Sequence, residues 1–413
     1  MIKNRNAIIG LLTALNFLNY IDRTVLAAVL VHVEKDLDLS KTEAGFAASA
    51  FLIGYFATAP LFGARADKGS RTGLIAGGVI VWSIATAATG LSHNLWTLLL
   101  ARAFVGVGEA SYATLAPTII DDLTPPEGKG RALAIFYLAI PLGSALGYMI
   151  GGTLDKHFGW HAAFFLTGGP GVVLALTCLL IEEPSRKLGH AKAKLFDGLR
   201  TLAAIPLFRR AVLGYCAYTW AIGAFSYWAP EFLVTRFPDY LDTQSAGFWF
   251  GLVTVIAGAI GVAIGGQWAD RGQRSLPPVT TTTPHDALEN RLGMNVLLRV
   301  SAIGVAVAVP FTALCFFMPV PVAFFAAAFV AEIGLFLSTS PVNAIGLRAV
   351  PPELRASAMA AMIFAIHLLG DLWSPPALGL LQRALPVELA MMALPIMFGL
   401  AAWLWWPRKH EAQ

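Results

Sequence analysis

Long apolar runs separated by short polar interruptions dominate the chain from its first turn to its last. Twelve runs stand out, at about 7–32, 43–64, 73–92, 95–120, 130–152, 160–181, 210–232, 245–268, 294–318, 321–347, 355–380 and 387–406. Each approaches the roughly 20 residues that a helix rising 1.5 Å per residue needs to cross about 30 Å of hydrocarbon. Strict alternation of apolar and polar positions, the mark of a membrane strand, is missing, so backbone hydrogen bonds have to be closed within helices. The pattern predicts an all-α membrane protein with twelve transmembrane helices.

Composition sharpens this picture. Of 413 residues, 57% are hydrophobic and 13% charged, against about 25% charged in soluble proteins. The opening "MIKNRN" leads straight into the first run with no small-residue cleavage pattern before Asp22 and Arg23, so no removable signal peptide is expected. With residue 1 inside, most of the 29 Lys and Arg fall in inner loops and termini, which predicts cytoplasmic N and C termini. The net charge of +4 then reports topology and gives no ground for nucleic acid binding. Cys178, Cys216 and Cys315 lie in predicted spans without ligand-like spacing and read as core residues.

The chain also repeats itself. "GARADKGSR" at 63–71 and "GQWADRGQR" at 266–274 share the pattern Gly-x-x-x-Asp-(Lys/Arg)-Gly-x-Arg, and "PPEGKGRA" at 125–132 is echoed by "PPELRA" at 351–356. Both echoes fall in predicted cytoplasmic loops, after the second and fourth spans of each half. This divides the chain into a six-helix half at 1–182, a linker at 183–209 and a second half at 210–413. Two parallel six-helix repeats around a midplane site are the arrangement of the major facilitator superfamily, and the repeated motif resembles that superfamily's signature loop. Its expected role is a conformational latch made by Gly63, Asp67, Lys68 and Arg71 and, in the second copy, Gly266, Asp270, Arg271 and Arg274. The glycines would let helices approach, and the charges would hold an acidic partner or a helix end. In the linker, Leu195, Phe196, Leu199 and Leu202 form an apolar stripe that fits an interfacial helix, and Pro- and Thr-rich 276–284 reads as a loop.

Charges inside the spans carry the candidate chemistry, because an ionisable group at mid-bilayer costs at least about 2.5 kcal/mol. On the first span, 100° per residue puts Asn16, Asn19 and Arg23 on one stripe, flanked by Tyr20 and Asp22. On the fourth, Arg102 and Glu109 share an azimuth on a seam of small residues that includes Gly106 and Ala113. Counting rise from opposite ends sets Asp22 and Arg102 at similar depth, with Glu109 roughly 10 Å nearer the cytoplasm. The expectation is therefore that Arg102 pairs with Asp22 in one state and with Glu109 in another, making Asp22, Arg102 and Glu109 a proton relay. Arg23, Arg102, Asn19, Tyr20, Tyr112 and Glu332 are the expected substrate contacts. His367 and Asp371 read as a local pair, and no spacing suggests a metal site.

"NYIDR" at 19–23 and "RAFVGVGEASYATLAPTIIDDL" at 102–123 resemble the first- and fourth-helix motifs of the spinster-type branch of that superfamily. The resemblance implies a proton-driven transporter of lysophospholipids or phosphorylated sphingoid lipids, with Asp22, Arg23, Arg102 and Glu109 inheriting the coupling and head-group roles. The Ala-rich, short-looped chain looks bacterial, which implies a multi-pass protein of the inner membrane, and a monomer is expected. The driving force would be the proton gradient, with no cofactor. No Gly-x-x-x-x-Gly-Lys-(Ser/Thr) loop supports ATP-driven transport. Competing readings are a transporter of small polar organic anions or sugars, a non-transporting lipid sensor, and a membrane-embedded enzyme. The last lacks an evident nucleophile, base and orienting group.

Overall fold

The computed structural model describes residues 2–66, 69–125, 129–183, 202–275, 285–350 and 355–408. It is built from helices α1 (Arg5–Asp36), α2 (Lys41–Ala66), α3 (Arg71–Thr89), α4 (Leu95–Leu123), α5 (Lys129–Phe158), α6 (Trp160–Cys178), α7 (Pro206–Arg236), α8 (Thr243–Arg274), α9 (His285–Cys315) and α10 (Pro321–Arg348), followed by α11 (Arg355–Ile366), α12 (Ser374–Ala384), α13 (Val387–Met391) and α14 (Ala393–Trp405). Side chains fix several starts. Asn4 accepts from the N–H groups of Asn6 and Ala7 at the head of α1, Asn94 and Thr97 form a capping box on α4, and Pro321 opens α10. The eleventh predicted span is interrupted. A π turn at His367–Asp371 precedes the Ser-Pro-Pro start of α12, where prolines withdraw backbone donors and force a change of register.

Among the described residues, eleven helical spans are long and apolar enough to cross a membrane. The other predicted span is α7, whose Tyr215, Tyr218, Trp220, Tyr227 and Trp228 hold its hydropathy down.

The helices form two compact units. One contains residues 1–189, 226–252 and 375–383, so it joins α1–α6 to parts of α7, α8 and α12; the other contains 190–225, 253–374 and 384–413. In the first unit α1 packs on α5 and α6, while α4 packs on α2 and α3. Missing side chains permit this. A Cβ at Gly106 would overlap the Phe51 carbonyl, one at Gly54 the Ala103 carbonyl, and one at Gly108 the backbone of α3 at Gly78 and Trp82. The small-residue seam of α4 therefore serves two neighbours at once. In the second unit α9 packs on α10 and α14.

The latch motifs need correction. Asp67 and Lys68 lie outside the described residues, as do Leu195, Phe196, Leu199 and 276–284. Leu202 is buried with Phe208, Val212, Cys216 and Met362. The second copy is helical rather than a loop: α8 runs to Arg274, leaving Asp270, Arg271 and Arg274 exposed on its last turns. Cations there complement the helix C terminus, which favours continued winding. Nor do the leading glycines bring helices together. Among the described residues a Cβ at Gly266 would meet nothing within 4 Å and one at Gly63 only an ordinary contact, with Thr114 at 4.0 Å.

Arg71 does act as a brace. It opens α3, and its Nη1 lies 2.7 Å from Asp122 of α4 while its Nε donates to Glu183, after α6, at 3.3 Å. The Arg71 backbone N–H also donates to Glu183 at 3.1 Å. Partial burial pushes the Glu183 carboxyl up, but these hydrogen bonds outweigh it and hold it below the usual range. A folded-state value below the unfolded one gives stability that is present above the unfolded value, about 4.3, and lost as pH falls through the folded one. Arg71→Ala is expected to cost about 2 kcal/mol at neutral pH, with a difference in thermal midpoint from the parent that shrinks on acidification. Equal midpoints at neutral pH would rule the brace out.

Candidate functional site

The charges of α1 and α4 meet inside the first unit, but with different partners from those expected. Asp22 is fully buried, and its Oδ2 accepts from the indole N–H of Trp82, on α3, at 2.9 Å. Glu109, also fully buried, pairs with Arg23: Nε and Nη2 both reach Glu109 Oε2 at 2.7 Å. Glu109 Oε1 has no hydrogen-bond partner among the described residues, and neither does Asp22 Oδ1.

Arg102 is 3% exposed, yet its Nε and Nη1 lack hydrogen-bond partners among the described residues. Its guanidinium carbon lies 5.8 Å from the Phe51 ring of α2, and that of Arg23 lies 4.6 Å from the same ring. One aromatic ring thus lies close to both cations, a contact that offsets part of their desolvation. The Arg23 side chain keeps 24% of its surface exposed.

In this structure neither pairing expected of Arg102, with Asp22 in one state and with Glu109 in another, is formed as a salt bridge among the described residues. Counting rise along a helix places Cα atoms, whereas helix side chains lean toward their own N terminus. α1 and α4 run in opposite directions, so Arg23 leans toward Glu109 and Glu109 toward Arg23. By the same rule Arg102 leans away from Glu109. Asp22, too short to follow, is met by the indole.

The other expected contacts divide. Tyr20 lies under Arg23, 4.9 Å from its guanidinium carbon, and Asn19 adjoins Glu109. Asn16 donates to the Phe136 carbonyl of α5 at 2.9 Å, so it ties helices together. Tyr112 is a correction: it is 1% exposed in an apolar cluster, edge-on to Trp82, and its hydroxyl donates to the Leu12 carbonyl. Glu332 belongs to the second unit, buried, with Thr254 donating to its Oε1 at 3.2 Å. His367 and Asp371 pair within their own turn at 2.9 Å.

Trp82 and Phe51 escaped notice in the sequence because each sits in an apolar run where an aromatic ring is unremarked. A faint signal for Trp82 exists. A wholly buried indole needs an acceptor for its N–H, and few acceptors occur in these spans.

A helical, multi-span bundle that buries paired and unpaired charges in its first unit is the kind of architecture used by membrane transporters of the facilitator type. The Major Facilitator Superfamily pattern matches residues 12–375. Human protein spinster homolog 1 is 34% identical over 400 residues, which cover 92% of this chain and 73% of that protein. The probable sphingolipid transporter spinster homolog 1 of Arabidopsis thaliana is 32% identical over 425 residues, covering 91% and 82%. The chain therefore belongs to the spinster homologues of the major facilitator superfamily. Its fold matches the crystal structure of a bacterial homolog to the human lysosomal transporter spinster, in an inward-facing and unoccupied conformation, with TM-score 0.84, 21% identity and coverage of 98% and 97%. A D-xylose-proton symporter matches with TM-score 0.76 and 16% identity, covering 98% of each chain.

Proposed function

We propose that this transporter moves an amphiphilic anion with a phosphate or carboxylate head, of the lysophospholipid or sphingolipid kind, together with a proton. The observation that carries the reading is Arg102: a buried guanidinium with two N–H-bearing nitrogens lacking partners among the described residues. A buried cation left without an acceptor is costly. A phosphate or carboxylate, which offers two oxygens side by side, matches its planar fork of donors. Arg23, whose guanidinium also lies against the Phe51 ring, supplies a second cation once it leaves Glu109. A proton on Glu109 neutralises the carboxylate that holds Arg23, so protonation and head-group binding reinforce each other, and linkage makes that reciprocal. Asp22, held by an uncharged indole donor, is the second acid of the relay. This arrangement favours cotransport over exchange.

The apolar tail is inferred from the spinster relatives, one of which is named a probable sphingolipid transporter. The distribution of Lys and Arg supports cytoplasmic termini. The test is substrate-induced stabilisation and liposome flux with lysophosphatidate, glycerol phosphate and a sugar. Lysophosphatidate is expected to raise the thermal midpoint and to accumulate under an inward proton gradient, while glycerol phosphate, which has the head without the tail, does neither. Stabilisation by the sugar alone would overturn the proposal.

A further inference from the structure

A second group of buried charges lies at the end of α1 that is remote from its N terminus. Glu34 sits near the close of α1, Lys41 opens α2, and Glu231 lies on α7, all within the first unit. Lys41 Nζ touches Glu34 Oε2 and lies 2.7 Å from Glu231 Oε1. The two carboxylate side chains are 11% and 3% exposed. Each keeps one buried oxygen, Glu34 Oε1 and Glu231 Oε2, without a hydrogen-bond partner among the described residues.

The backbones around the group are drawn together, while the Lys41 side chain keeps 31% of its surface exposed. Tyr227 of α7 donates to the Ala44 carbonyl of α2, and Trp228 donates to the Pro375 carbonyl of α12 at 3.0 Å. Gly45 and Gly379 have no side chain where α2 and α12 meet backbone to backbone. Three segments distant in sequence, at the end of α1 and the start of α2, on α7 and on α12, are clasped around one lysine.

The charges inside the clasp do not balance. Two carboxylates and one ammonium leave one negative charge. The Tyr227 hydroxyl faces both carboxylates and also faces Arg102, but carries no charge of its own. Glu43 is engaged by the Ser40 N–H at 2.9 Å and the Ser40 hydroxyl at 2.6 Å, with Arg383 of α12 facing it. His32, on another face of α1, pairs with Asp155 of α5 at 2.6 Å. Leaving a net charge and two unpaired carboxylate oxygens in a desolvated site is unfavourable. One proton removes the excess charge and converts an orphan acceptor into a donor.

We propose that Glu34, Lys41 and Glu231 form a proton-binding site that is filled while these segments are packed together and emptied when they part. Packing brings the two carboxylates to one ammonium, where only one of them can be neutralised. Separation lets water solvate the second. The packed form then holds one proton more than the parted form, so acid favours packing and alkali favours parting. The site is independent of the role proposed for Asp22 and Glu109.

Spin labels at Lys35→Cys and Tyr240→Cys, both exposed positions of the first unit, report the separation in the full-length protein in liposomes, and the native cysteines are buried. From mildly acidic to mildly alkaline pH, the ratio of long to short distances is expected to rise by up to about tenfold per pH unit, the slope of one released proton. Glu231→Gln keeps the shape and removes one of the two negative charges, leaving Lys41 and Glu34 balanced, so the short distance should dominate at every pH. Glu34→Gln should do the same and serves if the first variant folds poorly. Distances insensitive to pH in the parent, or a pH dependence untouched by both glutamine variants at the triad, would overturn the proposal. A dependence lost only in Glu109→Gln would place the proton at the other cluster.

Discussion

Replacing Glu109 with Gln is expected to reduce pH-gradient-driven uptake of the lipid to the level of empty liposomes while leaving counterflow intact. The side chain is fully buried and Arg23 donates to one of its oxygens twice, through Nε and Nη2 at 2.7 Å each. Glutamine preserves volume and can still accept a hydrogen bond from Arg23, so the helices should stay in place. It cannot take up or release a proton. Arg23 is then permanently available to a head group, as it would be beside a protonated glutamate, and exchange of labelled for unlabelled lipid does not require the proton to cycle. Asp22→Asn is the companion experiment, since the Trp82 indole can donate to the amide oxygen as it does to the carboxylate. Gradient-driven flux that persists in Glu109→Gln would remove this residue from coupling. Loss of both flux and counterflow, with folded protein recovered, would make it a binding residue.

Arg102→Ala should weaken lipid binding about a hundredfold, near 2.8 kcal/mol, while leaving the fold as stable as before or more so. The second half of that statement follows from the geometry. Removing one partner of a buried ion pair strands the other, but among the described residues Arg102 forms no salt bridge to a carboxylate, whereas Glu109 does, with Arg23. What the substitution removes from the ligand-free protein is a desolvated cation with two unpartnered nitrogens. Burying such a group is itself unfavourable. Arg102→Lys retains charge without the planar fork and is expected to bind about tenfold more weakly than the parent, a loss near 1.4 kcal/mol. Titration of binding and thermal melting of the same three preparations would settle both halves. Parent-like affinity in Arg102→Ala would move the head group elsewhere, and a large fall in midpoint would show that the guanidinium holds helices together.

Much of the architecture was written in local pattern. The predicted spans at 7–32 and 95–120 lie within α1 and α4, because a run of apolar side chains in hydrocarbon has the helix as its means of closing backbone hydrogen bonds. Ionisable residues inside such runs, Asp22, Arg23, Arg102 and Glu109, announced a polar centre because their burial is costly. Two spans were less regular than their sequences suggested. The π turn before Pro375 and the continuation of α8 through Asp270 depend on how single turns are completed, which a hydropathy pattern does not resolve.

The sequence by itself determined that the chain is a bundle of membrane helices with charged faces on α1 and α4, since length, apolarity and the 100° step are local quantities. The tertiary structure decided who pairs with whom. Arg23 rather than Arg102 meets Glu109, Trp82 rather than an arginine meets Asp22, and Lys41 gathers Glu34 and Glu231 from different parts of the chain. Such pairings are set by the direction in which side chains lean on antiparallel helices and by the glycines, such as Gly106 and Gly108, that fix how close those helices come. A displacement of one turn, about 5.4 Å, exchanges a salt bridge for an unpaired charge, and only the packed helices specify position to better than that.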